Sequence, residues 1–201
     1  MSKRVYISSD YDNEDGDRVV VDMLVKYGAD NQHKTDFIDM AKVVSGSVSK
    51  KDDCRICDLK DEFNKQINAS SVVIFVVGDK TKNRTAGSSC ERERKEQFLC
   101  WCTPYKKNFS GIKKCKILKT TRAYDDCGYI NSWSYLRHEF EQAKRKGKKI
   151  IIVYNSLNKQ PSWLPSYMTD YEDNAFPFWT TNAFGNKIGN YELIKEALGY
   201  D

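Results

Sequence analysis

Two six-residue blocks constrain the fold of this chain more than any other feature: Val72-Val73-Ile74-Phe75-Val76-Val77 and Lys149-Ile150-Ile151-Ile152-Val153-Tyr154. Both are rich in β-branched side chains, apolar at consecutive positions, and followed by turn-prone residues. A strand with one wet face alternates apolar and polar residues. One that is apolar throughout must be covered on both faces, as in a parallel sheet sandwiched between helices. Both blocks are too short to cross a bilayer, so no membrane association is expected. Val5 to Ser8 reads as another strand, Asp36-Phe37-Ile38-Asp39 as a fourth, and a fifth is expected between Tyr171 and Trp179.

Helical segments fall between these strands. They are Asp17 to Tyr27 with Gly28 as its stop, Asp53 or Cys54 to Asn68, Ser134 to Lys146 closed by Gly147, and a last helix from Asn190 as N-cap to Gly199 as stop. A βα unit repeated about five times predicts an α/β fold, a flavodoxin-like doubly wound parallel sheet. With 40% hydrophobic residues and 25 aromatics among 201 positions, the chain can bury a sizeable core and is not disordered. The Gly, Ser and Pro clusters at 45–49, 85–89 and 160–165 read as loops rather than linkers. Residues 1–201 are therefore read as a single domain, with 85–131 as an insertion before the third main helix.

Charge sets that insertion apart. From Lys80 to Arg122 the chain carries thirteen basic and three acidic residues, a balance of +10 against +5 for the whole, so the remainder is acidic by −5. Phe98, Trp101, Tyr105 and Phe109 interleave with the basic residues. Such a segment is either a solvated loop with a small core of its own or a grip for a phosphate backbone and its bases. Five of the seven cysteines lie in 85–131, and Cys90, Cys100, Cys102 and Cys115 could close a tetrahedral zinc site, although their spacing matches none of the usual ribbons; free thiols are the alternative. Cys54-x-x-Cys57 follows no strand directly, which argues against a thioredoxin-like pair. The chain enters Val5-Tyr6-Ile7 straight after Met1-Ser2-Lys3-Arg4, without an apolar leader, and its cysteine count is odd. The expectation is a cytoplasmic protein with reduced thiols.

In doubly wound sheets, ligands bind beyond the carboxyl ends of the strands. Ser8-Ser9-Asp10, Met40 to Ser47 and Gly78 to Arg84 are the loops at that rim, together with the start of the helix Ser134 to Lys146. At about 100° per residue, Leu136, Phe140 and Ala143 of that helix share a buried stripe. Glu139 borders the stripe, whereas Arg137, His138, Glu141, Lys144 and Arg145 are expected to face water. A carboxylate at the inward edge of a helix beside a ligand rim is either a catalytic group or a Glu favoured by the helix N-terminus.

The order of these segments resembles that of the TIR domain family. Val5-Tyr6-Ile7-Ser8 resembles the family's first strand, and Asp36-Phe37-Ile38-Asp39-Met40-Ala41-Lys42 its second strand and following loop. Ser132-Trp133-Ser134-Tyr135-Leu136-Arg137-His138-Glu139-Phe140 resembles the segment whose Glu is the catalytic residue of NAD-cleaving TIR enzymes. More narrowly, Lys3 to Ser8, Asp17-Arg18-Val19, Thr81-Lys82-Asn83-Arg84 and Tyr135 to Gly147 are similar to TIR-like proteins of bacterial Thoeris anti-phage defence. The 47-residue insertion, Thr85 to Asn131, departs from the family pattern, as does the lack of a Trp-Cys pair at Tyr135-Leu136.

The resemblance implies cleavage of the bond between ribose and nicotinamide, with NAD as substrate and no obligatory cofactor. The nicotinamide leaves a cationic pyridinium as a neutral molecule, so no general acid has to protonate it, and one carboxylate facing the oxocarbenium-like state can suffice. Glu139 is the candidate catalytic residue. Ser8, Asp10, Arg18, Asp39, Lys42, Ser45, Asn83, Arg84 and Trp133 are the candidate substrate-binding residues: Arg18, Lys42 or Arg84 to meet the pyrophosphate, Trp133 to stack on a ring. Arg18 pairing with a nearby acid, Asp39 merely ending its strand and Trp133 in the core are the plain alternatives. The family further implies a signalling ADP-ribose derivative, cyclic or conjugated, made on a phage-derived trigger to activate a partner effector, and homo-oligomers formed through TIR contacts. A non-catalytic assembly module and a nucleic-acid or anionic-partner sensor using the insertion are the alternatives. A phospho-acceptor receiver of the same fold class is disfavoured, because Tyr154-Asn155-Ser156 lacks the lysine expected there.

Overall fold

The computed structural model describes residues 3–9, 16–29, 35–39, 55–84, 105–107, 113–115 and 134–200, without the side chains of 55–58, 60–61, 105–107 and 113–115. In chain order these form β1 (Lys3–Ser9), α1 (Asp17–Tyr27), β2 (Thr35–Asp39), α2 (Arg55–Ala69), β3 (Val72–Val77), β4 (Tyr105–Lys107), β5 (Lys113–Cys115), α3 (Tyr135–Arg145) and β6 (Lys149–Tyr154). β7 (Phe176–Pro177), β8 (Trp179–Thr181), β9 (Lys187–Gly189) and α4 (Tyr191–Leu198) follow. The main sheet runs β2-β1-β3-β6-β7, every pair parallel. That is the doubly wound order of flavodoxin-like sheets, whose strand order reverses between β1 and β3. β4 and β5 pair antiparallel, Lys106 opposite Lys114 and Lys107 opposite Lys113; they are the described part of residues 85–131.

Period-two alternation along the strands divides the core in two. On one face Tyr6, Val73, Phe75, Val77, Ile152 and Tyr154 pack with Leu59, Phe63 and Ile67 of α2 and Leu136, Phe140 and Ala143 of α3. On the other, Val5, Ile7, Ile74, Val76, Ile151 and Val153 pack with Val20, Val21 and Leu24 of α1 and Ile194 and Leu198 of α4. Val73, Ile74, Phe75, Val76 and Val77 are all completely buried. Each such side chain contributes about 1.5–3 kcal/mol, so the continuous apolar block belongs at the centre of the sheet. The expected fifth strand is the short β7, whose Pro177 is tolerated because it lies on the sheet edge.

Helix limits follow local chemistry. Ser134 caps α3, its side chain accepting from the Arg137 N–H at 3.0 Å, and Asn190 caps α4 by accepting from the Leu193 N–H. Gly147 and Gly199 end these helices at φ 59° and 76°, the left-handed stop expected of them. Gly28 ends α1 for a different reason: its φ is −62°, and a Cβ there would lie 2.6 Å from the Thr35 carbonyl oxygen. Close approach of the turn to β2, not a left-handed cap, requires the glycine. α2 is described from Arg55; Asp53 and Cys54 lie outside the described residues.

The exposed face expected for α3 needs correction. His138 is buried, and Arg137 and Glu141 are half-buried, while Lys144 and Arg145 do face water. A helix lying on a sheet buries one stripe, but α3 is also flanked on both sides. Toward α2, His138 Nε2 meets Asn64 Oδ1 at 3.0 Å and Gln142 donates to Asn68 Oδ1 at 2.9 Å. On the other side the 3₁₀ segment Ser166–Asn174, part of the link from β6 to β7, sets Tyr167 and Tyr171 against Phe140 and brings the Tyr167 ring under the Arg137 guanidinium.

Candidate active site

Glu139 lies in the second turn of α3, 4% exposed, over the carboxyl-terminal half of β1. Tyr6 and Ser8 alternate onto the same face of β1 and reach it there. The Tyr6 hydroxyl donates to Oε1 at 2.6 Å, and the Ser8 hydroxyl donates to Oε2. Both oxygens of the carboxylate are thus held by hydroxyl donors, the kind of hydrogen bond that favours the charged form of an acid. Each oxygen has more than one lone-pair direction, so neither bond exhausts its capacity as an acceptor.

Packing fixes the helix that carries the glutamate. Phe140 meets Phe75 of β3 edge to face at 5.5 Å, and the Asn64 and Asn68 contacts tie His138 and Gln142, one helical turn apart, to α2. Glu139 thus sits between a helix tied to β3 and α2 and a strand held in register with β2 and β3.

Asp39 and Arg18 stand on the other side of the sheet from Glu139. Asp39, the last residue of β2, pairs with Ile7 and takes the α1 side of the sheet. There Arg18 of α1 donates to both its oxygens, at 3.0 and 2.6 Å, and also bridges Asp22 at 2.6 Å. The two carboxylates raise the Arg18 pKa, with the Asp39 hydrogen bonds as the larger cause. Arg18 is thus paired with nearby acids. Asn83, exposed, and Arg84, half-buried, follow β3 on the 3₁₀ turn Thr81–Asn83, which Thr81 anchors by accepting from the Gly78 N–H. Asp10, Lys42, Ser45 and Trp133 lie outside the described residues, as do Cys90, Cys100 and Cys102. Cys115 ends β5 opposite Tyr105, with its side chain not described.

On the α1 side of the same rim, besides the buried Asp39, stands a further buried acid that the sequence did not single out. Asp17, the first residue of α1, is 2% exposed and accepts from the Asn155 side-chain N–H at 2.8 Å. Asn155, just past β6, is itself oriented by the Trp179 indole at 2.7 Å and by its own N–H to the Val77 carbonyl. The carboxylate packs on Gly78, where a Cβ would come within 2.6 Å of it. Burial raises the Asp17 pKa from 3.8 to about 6, opposed by the Asn155 hydrogen bond and assisted by the charge of Asp79.

Tyr6 is a further site residue that the sequence reading misses. Its signal is present: Tyr6 and Ser8 are two apart on one strand, so whatever faces Ser8 faces Tyr6. Nothing comparable marks Asn64, since the contact with His138 joins residues 74 positions apart.

No family model matches the chain, and a search of curated proteins returns no match. Among the described residues, no helix is long and apolar enough to cross a membrane.

Proposed function

We propose that this chain is a TIR-type enzyme that cleaves NAD at the bond between ribose and nicotinamide, with Glu139 as the catalytic carboxylate. The observation that carries the reading is Glu139 itself: an acid buried over the carboxyl-terminal half of β1 and held at both oxygens by Tyr6 and Ser8. Departure of nicotinamide takes the C1′–N1 electron pair into the pyridinium ring and leaves positive charge spread over C1′ and the ring oxygen. A fixed carboxylate stabilises that charge without having to reorganise. The resemblance to Thoeris proteins extends the reading to bacterial antiviral defence. There the product is a cyclic or conjugated ADP-ribose derivative, made in the cytoplasm on a phage-derived trigger, that activates a partner effector. Assembly through TIR contacts between copies and the nucleotide-binding roles of Asp10, Lys42, Ser45, Asn83, Arg84 and Trp133 belong to the same proposal.

Nicotinamide release from NAD by purified protein, at high concentration and with infected-cell extract as trigger, tests it. Release that falls at least about 100-fold in Glu139→Gln is expected. A Glu139→Gln variant as active as the native chain would sink the assignment.

One observation favours a second reading, an anion-binding role for the basic segment. The β4–β5 register sets lysine opposite lysine twice, Lys106 with Lys114 and Lys107 with Lys113. Like charges directly opposed destabilise a two-stranded ribbon, and a bound polyanion would relieve them.

A further inference from the structure

The NAD reading assigns Glu139 a charge but does not say what keeps it charged inside the protein. Burial disfavours the charged form of a carboxyl group, and Glu139 is only 4% exposed. On its side of the sheet lies the apolar cluster that includes Val73, Phe75 and Val77 from β3, Ile152 from β6, and Phe63 and Ile67 from α2. Tyr154 of β6 belongs to the same cluster, and His138, the neighbour on α3, turns to Asn64. Against this surrounding stand the two hydroxyl donors of β1.

We propose that Tyr6 and Ser8 are positioning residues whose hydroxyls hold Glu139 as an ionised carboxylate in one orientation, so that it acts by charge and not by donating a proton. The inference rests on the NAD reading for its catalytic consequence only. An ionised Glu139 has no proton to give, so the site serves ribosides whose leaving group departs neutral without protonation. In the water reaction the C1′–N1 pair leaves with nicotinamide, a water oxygen bonds to C1′, and the water's proton passes to solvent. Ser8, a candidate for substrate contact in the sequence, acts through Glu139 instead. Tyr6 is completely buried and belongs to the core cluster, so Tyr6→Phe keeps the ring and removes only the hydroxyl.

The test compares the native chain, Tyr6→Phe and Ser8→Ala. Carboxyl carbon NMR of protein labelled at glutamate, with the Glu139 signal assigned by its loss in Glu139→Gln, follows the titration directly and needs no activity. Glu139 is expected to keep its charge to lower pH in the native chain than in either variant. In turnover, each variant is expected to lose about 10-fold to 100-fold in kcat with KM for NAD within about two-fold, and the acid limb of its kcat profile should move to higher pH. Thermal melting reports whether the variants fold. An unchanged Glu139 titration in folded Tyr6→Phe overturns the inference, whatever the activity. A shifted titration with no nicotinamide release from the native chain sustains the hydrogen-bond role and overturns the NAD reading. Preferential cleavage of neutral nucleosides such as inosine over NAD would refute the charge-only role of Glu139.

Discussion

Asp17 illustrates how a single residue can carry a cost that packing imposes. Its carboxyl group is buried against Gly78, and burial lifts its pKa from 3.8 to about 6. The folded state therefore binds a proton more tightly than the unfolded chain across that window, so the Asp17 contribution to stability is greatest below about pH 4 and is lost as pH rises toward 6. A displacement of that size corresponds to about 3 kcal/mol. Urea melts of the native chain and Asp17→Asn at pH 4 and pH 7 should show it: the native chain loses about that much more stability over the interval than the variant, in which this titration is absent. Equal pH dependence in the two proteins would show that the carboxyl group finds solvent or a cation. At this scale the sequence was partly legible. Glu139 stands out because its place on the helix wheel sets a charge beside an apolar stripe, and wheel geometry is local. His138 is misplaced by the same wheel, because only the arrival of α2 decides that its side of α3 is covered.

At the scale of elements, helix ends are legible because caps are made by the chain's own neighbours. Ser134 accepts from the N–H three residues on, a contact within one turn of chain. Replacing it by alanine removes a capping acceptor at a buried helix start, at a cost of about 1 kcal/mol. The cost also falls on the turn that leads into Glu139. Ser134→Ala is expected to lower the melting midpoint by a few degrees, and hydrogen exchange at the first turn of α3 should speed up more than exchange in β3. An unaltered exchange rate in that turn would mean the cap does not hold the helix start. Gly28 shows the limit of such reading. A glycine after a helix is expected as a stop and is one, but the contact that requires it is with Thr35, seven residues on and in the next strand.

For the whole molecule, the acidic body and the segment of +10 make a charge asymmetry that the net +5 conceals. If the segment grips a polyanion, binding of a labelled DNA duplex weakens steeply with salt. Changing Lys106, Lys107, Lys113 and Lys114 together to glutamine should flatten the slope of log K against log salt by as much as about 3.6. A slope that does not change would assign the lysines to solubility alone. Under the proposed function, the glutamine variant is expected to release nicotinamide as the native chain does, because the lysines lie outside the sheet and helices that carry Glu139, Tyr6 and Ser8.

The order of strands and helices, the parallel sheet and the two-sided core follow from patterns of two, of 3.6 and of unbroken apolar residues, which the chain carries locally whatever its partners in space. Sequence also placed Glu139 at the inner edge of its helix and set Tyr6 and Ser8 on one face of β1. The tertiary structure alone decided that these three meet, 133 and 131 positions apart, that Arg18 is taken up by Asp39 and Asp22, and that Asp17 is shut in by Gly78 and Asn155. Periodicity states which way a side chain points from its own element; which group waits there depends on how separately specified elements dock, and no local pattern encodes that.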